Sequence, residues 1–204
     1  MKPRAAGTLV QLRPEARRDD LTDEGVVAAC ATGDRAARAL LFERHVDVVH
    51  RFIRRMRASD APEVDDLVQA TFLTAFQSAA RFRGGHVRGW LYGIAANHVR
   101  MYARGEIRRK HALQVVSETA SRSHVRAHAE LLARLPAAIA ALPHDLRAAF
   151  VLVDLEGERG CDAAAALGIP EGSLWRRVFH ARKALRDALG DEPTDGCTTP
   201  RRPR

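Results

Sequence analysis

Long apolar runs are missing from this chain of 204 residues. The longest, such as Ala148 to Val153, fall far short of the roughly 20 residues that a membrane-spanning helix needs. Lys2 and Arg4 are followed by no apolar segment, so neither a secretory signal nor direct membrane insertion is expected. Cysteine is scarce: Cys30, Cys161 and Cys197 are odd in number and far apart. They build no disulfide framework and share no metal-ligand spacing, and a reducing cytoplasm suits them. Aromatic residues are only 5% of the chain, which disfavours a sheet-rich core. The motifs CxxC, HExxH, Walker A and GxSxG do not occur, and the nine histidines form no ligand set. The expectation is a protein that is not an enzyme, with no catalytic residue, metal, cofactor or small-molecule substrate.

What the chain does have is Ala, Leu and Arg in helical patterns, and a positive balance. Lys and Arg number 33 against 25 Asp and Glu, a net charge of +8. A polyanion is the implied partner, nucleic acid first and a membrane surface second. The excess is uneven. Residues 21–100 hold 11 basic and 9 acidic groups, residues 101–128 hold 6 and 2, and residues 129–189 balance at 8 and 8. The balanced stretch is itself polarised, because Ser173 to Leu189 carries Arg176, Arg177, Arg182, Lys183 and Arg186 against Asp187 alone.

Composition and periodicity divide the chain into a loose tail (1–20), a helical block (21–104), a polar linker (105–128), a second helical block (129–189) and a Pro-containing tail (190–204). The fold class expected is all-α, with two small helical domains on a tether. In the first block Thr22 and Asp34 are N-cap residues. Ala37, Leu41, Val48, Phe52 and Met56 mark the buried stripe of a long helix. The next helix, opened by Pro62, buries Val68, Phe72, Ala75 and Ala79. Its other face, Asp66, Gln69, Leu73 and Gln77, reads as a docking surface or as a solvated face. After the loop Arg81-Phe82-Arg83-Gly84-Gly85-His86, a helix from Trp90 aligns Asn97, Arg100 and Arg104. That row is a nucleic-acid face or an exposed basic end, and Arg108 joins it if the helix survives Gly105.

In the second block Leu131, Leu135, Ile139 and Leu142 form a stripe, with Pro136 as a kink or a new start. Pro143 opens another helix, and Asp162 to Leu167 is a short one. Gly168-Ile169-Pro170 turns the chain and Ser173 is expected to cap a final helix, Leu174 to Leu189. This is a helix-turn-helix pattern or a plain helical hairpin. Under the first reading, Ser173, Trp175, Arg176 and Arg177 enter the major groove, and later cations such as Arg182 and Lys183 meet phosphates.

Taken in order, these segments resemble the extracytoplasmic-function (ECF, group 4) sigma factors of bacterial RNA polymerase, in the sigma-70 family. Asp65-Asp66-Leu67-Val68-Gln69-Ala70-Thr71-Phe72 resembles the family's DLVQETF. Arg81-Phe82-Arg83-Gly84 resembles RFRG, and Trp90-Leu91-Tyr92-Gly93-Ile94-Ala95-Ala96-Asn97 resembles WLYRIARN. The second block is similar to region 4 through Ala141-Leu142-Pro143, Leu155-Glu156-Gly157, Leu167 to Ser173 and Ala181-Arg182-Lys183-Ala184-Leu185. The resemblance implies a sigma region 2 bundle, a region 4 helix-turn-helix, and no chemistry of the chain's own.

It also implies roles for residues. Asp65, Asp66, Gln69 and Leu73 would dock core RNA polymerase. Arg83, Gly84, Gly85, His86, Asn97, Arg100 and Arg104 would read the −10 element of promoter DNA, where a non-template base leaves the stack. Ser173, Trp175, Arg176, Arg177, Arg182 and Lys183 would read the −35 element. An anti-sigma factor would hold the protein inactive. The alternatives are a helix-turn-helix regulator acting without polymerase, and a helical adaptor for an acidic protein. Ala70, Met101, Gly160, Cys161, Ala163 and Trp175 depart from the family pattern.

Overall fold

The computed structural model describes residues 21–57, 63–113 and 127–190. Those residues are helices and short connections, with no strand among them. Among them eight α-helices run in order: α1 Asp23–Ala31, α2 Arg35–Arg57, α3 Glu63–Ser78, α4 Val87–Leu113, α5 Ala127–Ala141, α6 His144–Phe150, α7 Gly160–Leu167 and α8 Glu171–Leu189. Residues 1–20 and 191–204 of the expected tails, residues 114–126 of the expected linker, and Pro62, expected to open α3, lie outside the described residues.

Local signals place most of the helix ends. The Thr22 hydroxyl accepts from the Gly25 N–H at 3.2 Å, and Asp34 Oδ1 accepts from the Ala36 and Ala37 N–H groups at 2.7 and 3.2 Å. Each cap satisfies donors that the first turn leaves unpaired. Gly168 ends α7 at φ 64, a left-handed backbone that costs a Cβ-bearing residue dearly. The final helix starts earlier than expected. Pro170 occupies the N-cap position and Ser173 sits inside the first turn, its N–H bonded to the Pro170 carbonyl. Proline is extended at ψ 144 there, so Glu171 and Gly172 already take helical angles. The helix before the turn likewise begins at Gly160 rather than Asp162. Helix α5 runs through Pro136, and α4 runs through Gly105 to Leu113, carrying residues 105–113 of the expected linker.

The stripe of α2 is Ala37, Leu41, His45, Val49, Phe52, Ile53 and Met56. Val49 therefore replaces Val48, which is only half-buried. Ile53 and Met56 are buried as well, which centres the stripe on the side of Val49 and leaves Val48 at its edge. His45 fills the stripe as a buried imidazole 3.2 Å from Asp23 of α1. Burial pushes its pKa down, and the Asp23 carboxylate opposes that.

The two helical blocks share one apolar cluster. It joins Val26, Phe52, Phe72 and Leu91 of α1–α4 to Ala149, Leu152, Ala163, Leu174 and Val178 of the second block. A smaller cluster, Ile139, Leu142, Ala181 and Leu185, seats α5 on α8. Between α6 and α7 the chain makes a π turn over Val151–Leu155, closed by the Glu156 N–H on the Val151 carbonyl. A π turn adds a residue to a helical turn and re-aims the backbone beyond it, as such bulges do near functional sites. Here it delivers Glu156 to the surface of α2.

Candidate nucleic-acid interface

Three surfaces carry the residues singled out from sequence. The first lies on α3. Asp65, Asp66, Gln69 and Leu73 are all exposed, Leu73 to 52%. Asp65 and Gln69 border a groove of about 450 Å³ that Leu73 and Phe76 of α3 and Phe42 and Val46 of α2 also line. The Phe42 ring stands edge-on to Phe72 at 4.8 Å. Sequence reading missed Phe42 and Val46, which flank the buried stripe of α2. The available signal was Phe42 itself, a large apolar residue one step outside that stripe and 40% exposed.

The second surface is the loop before α4 and the helix after it. Gly84 and Gly85 take φ 82 and 98, so the loop needs glycine to turn. Glu24 of α1 holds it, accepting the Gly85 N–H at 2.9 Å. Arg83, Gly84, Gly85, His86 and Asn97 gather around a cavity of about 480 Å³. Phe82 and Trp90 wall it, their rings 5.1 Å apart. An aromatic pair beside cations and open backbone can stack a nucleobase and hold its phosphate. Sequence reading gave Phe82 and Trp90 no such part, although aromatic residues between arginines are the signal for it. Further along α4, Arg100 reaches Asn97 Oδ1 at 3.2 Å, and Arg100, Arg104 and Arg108 are exposed on that face.

The remaining wall of this cavity comes from α7, through Asp162, Ala165 and Ala166. A smaller cavity of about 100 Å³ places Asn97 and Arg100 against His144, Asp145 and Arg177 of the second block. Burial pushes the His144 pKa down to about 4, and Arg100, Arg147 and Arg104 push the same way against Asp145. The expected −10 residues are thus brought together, with the second block lying over them.

The third surface is α8. Trp175, Arg176 and Lys183 are exposed, and Phe179, which sequence reading had not singled out, is 59% exposed beside them. Arg177 differs from expectation. It is half-buried and faces Asp145 of α6 at 3.4 Å, because its place on the helix turns it toward that element. Arg182 pairs with Asp154 at 2.5 Å. The indole of Trp175 donates to Glu171 Oε1 at 3.2 Å and lies across Gly160. A methyl group built on Gly160 would come within 2.7 Å of that ring. Two departures from the family pattern, Gly160 and Trp175, are therefore complementary.

His86, Glu158 and Asp162 bring donor atoms within 4.8 Å of one another. Arg88 and Arg159 already stand 2.7 Å from the two carboxylates and balance their charge. We read the group as an ion-pair network. No helix of the described residues is long and apolar enough to cross a membrane.

Comparison with known proteins gives a consistent result. Residues 41–109 match Sigma-70 region 2, and residues 132–185 match Sigma-70, region 4. The chain is 33% identical over 181 residues to the ECF RNA polymerase sigma factor SigE of Mycolicibacterium smegmatis, covering 84% of this chain and 70% of that protein. Among solved structures it is similar to CnrH in complex with the cytosolic domain of CnrY. The TM-score is 0.61 and the identity 26%, over 82% of this chain and 97% of that one. It is also similar to the sigma factor RpoE in complex with the anti-sigma factor NepR from Bartonella quintana. There the TM-score is 0.59 and the identity 25%, over 74% and 96%.

Proposed function

Because the chain belongs to the ECF RNA polymerase sigma factors, we propose that its three surfaces divide the work of promoter recognition among themselves. The α2–α3 groove, with Asp65, Asp66, Gln69 and Leu73, docks core RNA polymerase. The loop Arg83–His86 and the face Asn97, Arg100 and Arg104 hold the unpaired −10 strand. Ser173, Trp175 and Arg176 read the −35 duplex, and Lys183 meets phosphate. Geometry supports this division of labour. An aromatic-walled cavity suits a base taken out of the stack, whereas an exposed helix after a tight turn suits a major groove. Phosphate contacts supply affinity, and base contacts supply choice. The chain adds no catalytic group to the polymerase. Two domains, 21–104 and 129–189, carry these tasks in the cytoplasm. An anti-sigma factor is the expected inhibitor, since RpoE is bound to one in the similar structure.

The observation that carries this reading is the cavity between Phe82, Trp90 and Asn97, placed beside exposed Arg100 and Arg104. A helix-turn-helix regulator working alone has no use for it. Transcription in vitro from genomic fragments, with purified core polymerase, tests the reading. New start sites that depend on the added chain support it. A chain that binds duplex DNA tightly yet yields none, and does not co-purify with core, overturns it.

A further inference from the structure

The outward face of α8 is not uniformly polar. Leu174, Val178, Ala181 and Leu185 turn inward and are buried. On the other side Arg176, Arg182, Lys183 and Arg186 are exposed, and two aromatic rings stand among them. Trp175 is 45% exposed and Phe179, one turn further on, 59%. Both lie outside the two apolar clusters of the described residues, so neither ring serves to hold the helix against its neighbours. The cations draw a polyanion to this face whatever its sequence. The rings between them meet what lies beyond the phosphates.

Trp175 is held in one orientation. Its indole N–H donates to Glu171 Oε1 at 3.2 Å, and its six-membered ring rests over Gly160 of α7. A methyl group at Gly160 would meet that ring at 2.7 Å and the same Glu171 oxygen at 2.9 Å, so the seat admits only hydrogen. Gly160 takes no positive φ, and the start of α7 does not itself require glycine. The hydrogen bond decides what the side chain can recognise. Indole has one polar atom, a donor, and no acceptor. With that donor already on Glu171, the part left open to a partner is hydrocarbon. It offers nothing to the O6 and N7 of guanine, the N7 of adenine or the amino group of cytosine. In the major groove thymine alone presents carbon, through its C5 methyl group.

We propose that Trp175, seated on Gly160 and tied by Glu171, reads the methyl group of a thymine in the −35 element, with Phe179 extending the same apolar strip along the groove. The inference rests on the assignment of α8 to that element and names a base that the assignment leaves open. A ring fixed before contact loses little freedom on binding, so discrimination falls on the methyl group itself.

The test deletes that methyl group and nothing else. Core polymerase loaded with the full-length chain selects duplexes from a pool randomised across the −35 element. The enriched duplex is remade with deoxyuridine in place of each −35 thymine in turn, on either strand, which keeps every hydrogen-bonding group. Affinity is then measured by gel retention. Wild type is expected to lose about fourfold at one thymine, corresponding to one methyl group returned to water. Trp175→Ala is expected to bind the thymine and uridine duplexes alike. Glu171→Gln keeps an acceptor for the indole and should keep the preference. Glu171→Ala frees the ring and should lose it, even where removal of the carboxylate raises affinity for both duplexes; a merely structural carboxylate would leave the ratio unchanged. Indifference of wild type to every uridine, or an enriched motif without thymine, overturns the methyl reader, while a motif altered by Arg176→Ala keeps α8 on the −35 element. Equal loss in Trp175→Ala gives the methyl group to another side chain and overturns the proposal. So does loss of core co-purification in Trp175→Ala with its motif unchanged, which places the ring on the polymerase. A pool with no enriched −35 sequence overturns it through the assignment of α8.

Discussion

His144 shows how a single buried group couples this molecule to pH. Its imidazole is held neutral in the fold, with its pKa pushed from 6.5 to about 4. In the unfolded chain it takes a proton near 6.5. Acid therefore favours the unfolded chain: the stability from His144 is complete above about pH 6.5 and is lost as pH falls toward 4. His45 and His98 shift in the same direction, both through burial. Urea melts at pH 7 and pH 5 check this, and His144→Gln is expected to flatten the drop between them. Trp175 carries a second prediction at this scale. Trp175→Ala should change the preferred −35 sequence while leaving polymerase binding alone, and Gly160→Ala, by displacing the same indole, should change it too. Selection over randomised −35 sequences gives the answer, and an identical motif from both variants and wild type removes Trp175 from the readout. The pairing of Gly160 with Trp175 was invisible in the sequence. Fifteen positions apart, two unusual residues look like separate losses until the ring is seen resting on the glycine.

Among the elements, α3 and α4 make the clearest demands. Leu73 is half in water and supports no buried cluster, so Leu73→Asp should leave the helical melt within about 0.5 kcal/mol of wild type. The same change should abolish co-purification with core polymerase, and retention on core would count against the groove. On α4, Arg100→Ala with Arg104→Ala should weaken promoter opening on many sequences alike. Two lost phosphate contacts should also reduce the slope of log affinity against log salt by about 1.5. Measurement of open complexes at several salt concentrations checks both. Element positions were legible in advance because their signals are local. Thr22, Asp34 and Gly168 act within a few residues, and Val68, Phe72 and Ala75 repeat at helical spacing. The start of α8 was misplaced for the same reason: Ser173 is a good cap by type, but Pro170, earlier in the loop, had already set the angles.

At the scale of the whole molecule, the sequence spoke for two blocks and was silent on how they meet. The contacts that join them span long separations: Arg55 and Glu156 are 101 residues apart, and Arg147 and Met56 are 91. No periodicity or composition encodes such a meeting. The nearest thing to a trace is Gly93, inside α4, where a Cβ would meet the backbone carbonyl of Ala166 in α7. The candidate surfaces were legible where they rest on one helix face and hidden where a second element covers them. This is why Arg177 was expected in a groove and is found against Asp145.

The shared apolar cluster bears on what the covalent tether contributes. Leu152, Leu174 and Val178 pack into the same cluster as Phe52 and Leu91, so each half presents the other with a greasy seat that water would otherwise meet. A protease site introduced between Leu113 and Ala127 and then cut should leave two fragments that travel together through a sizing column. With Gly93→Ala the same cut should let them part. The peptide link, on this account, sets how often the halves find each other, and the buried seam sets how long they stay.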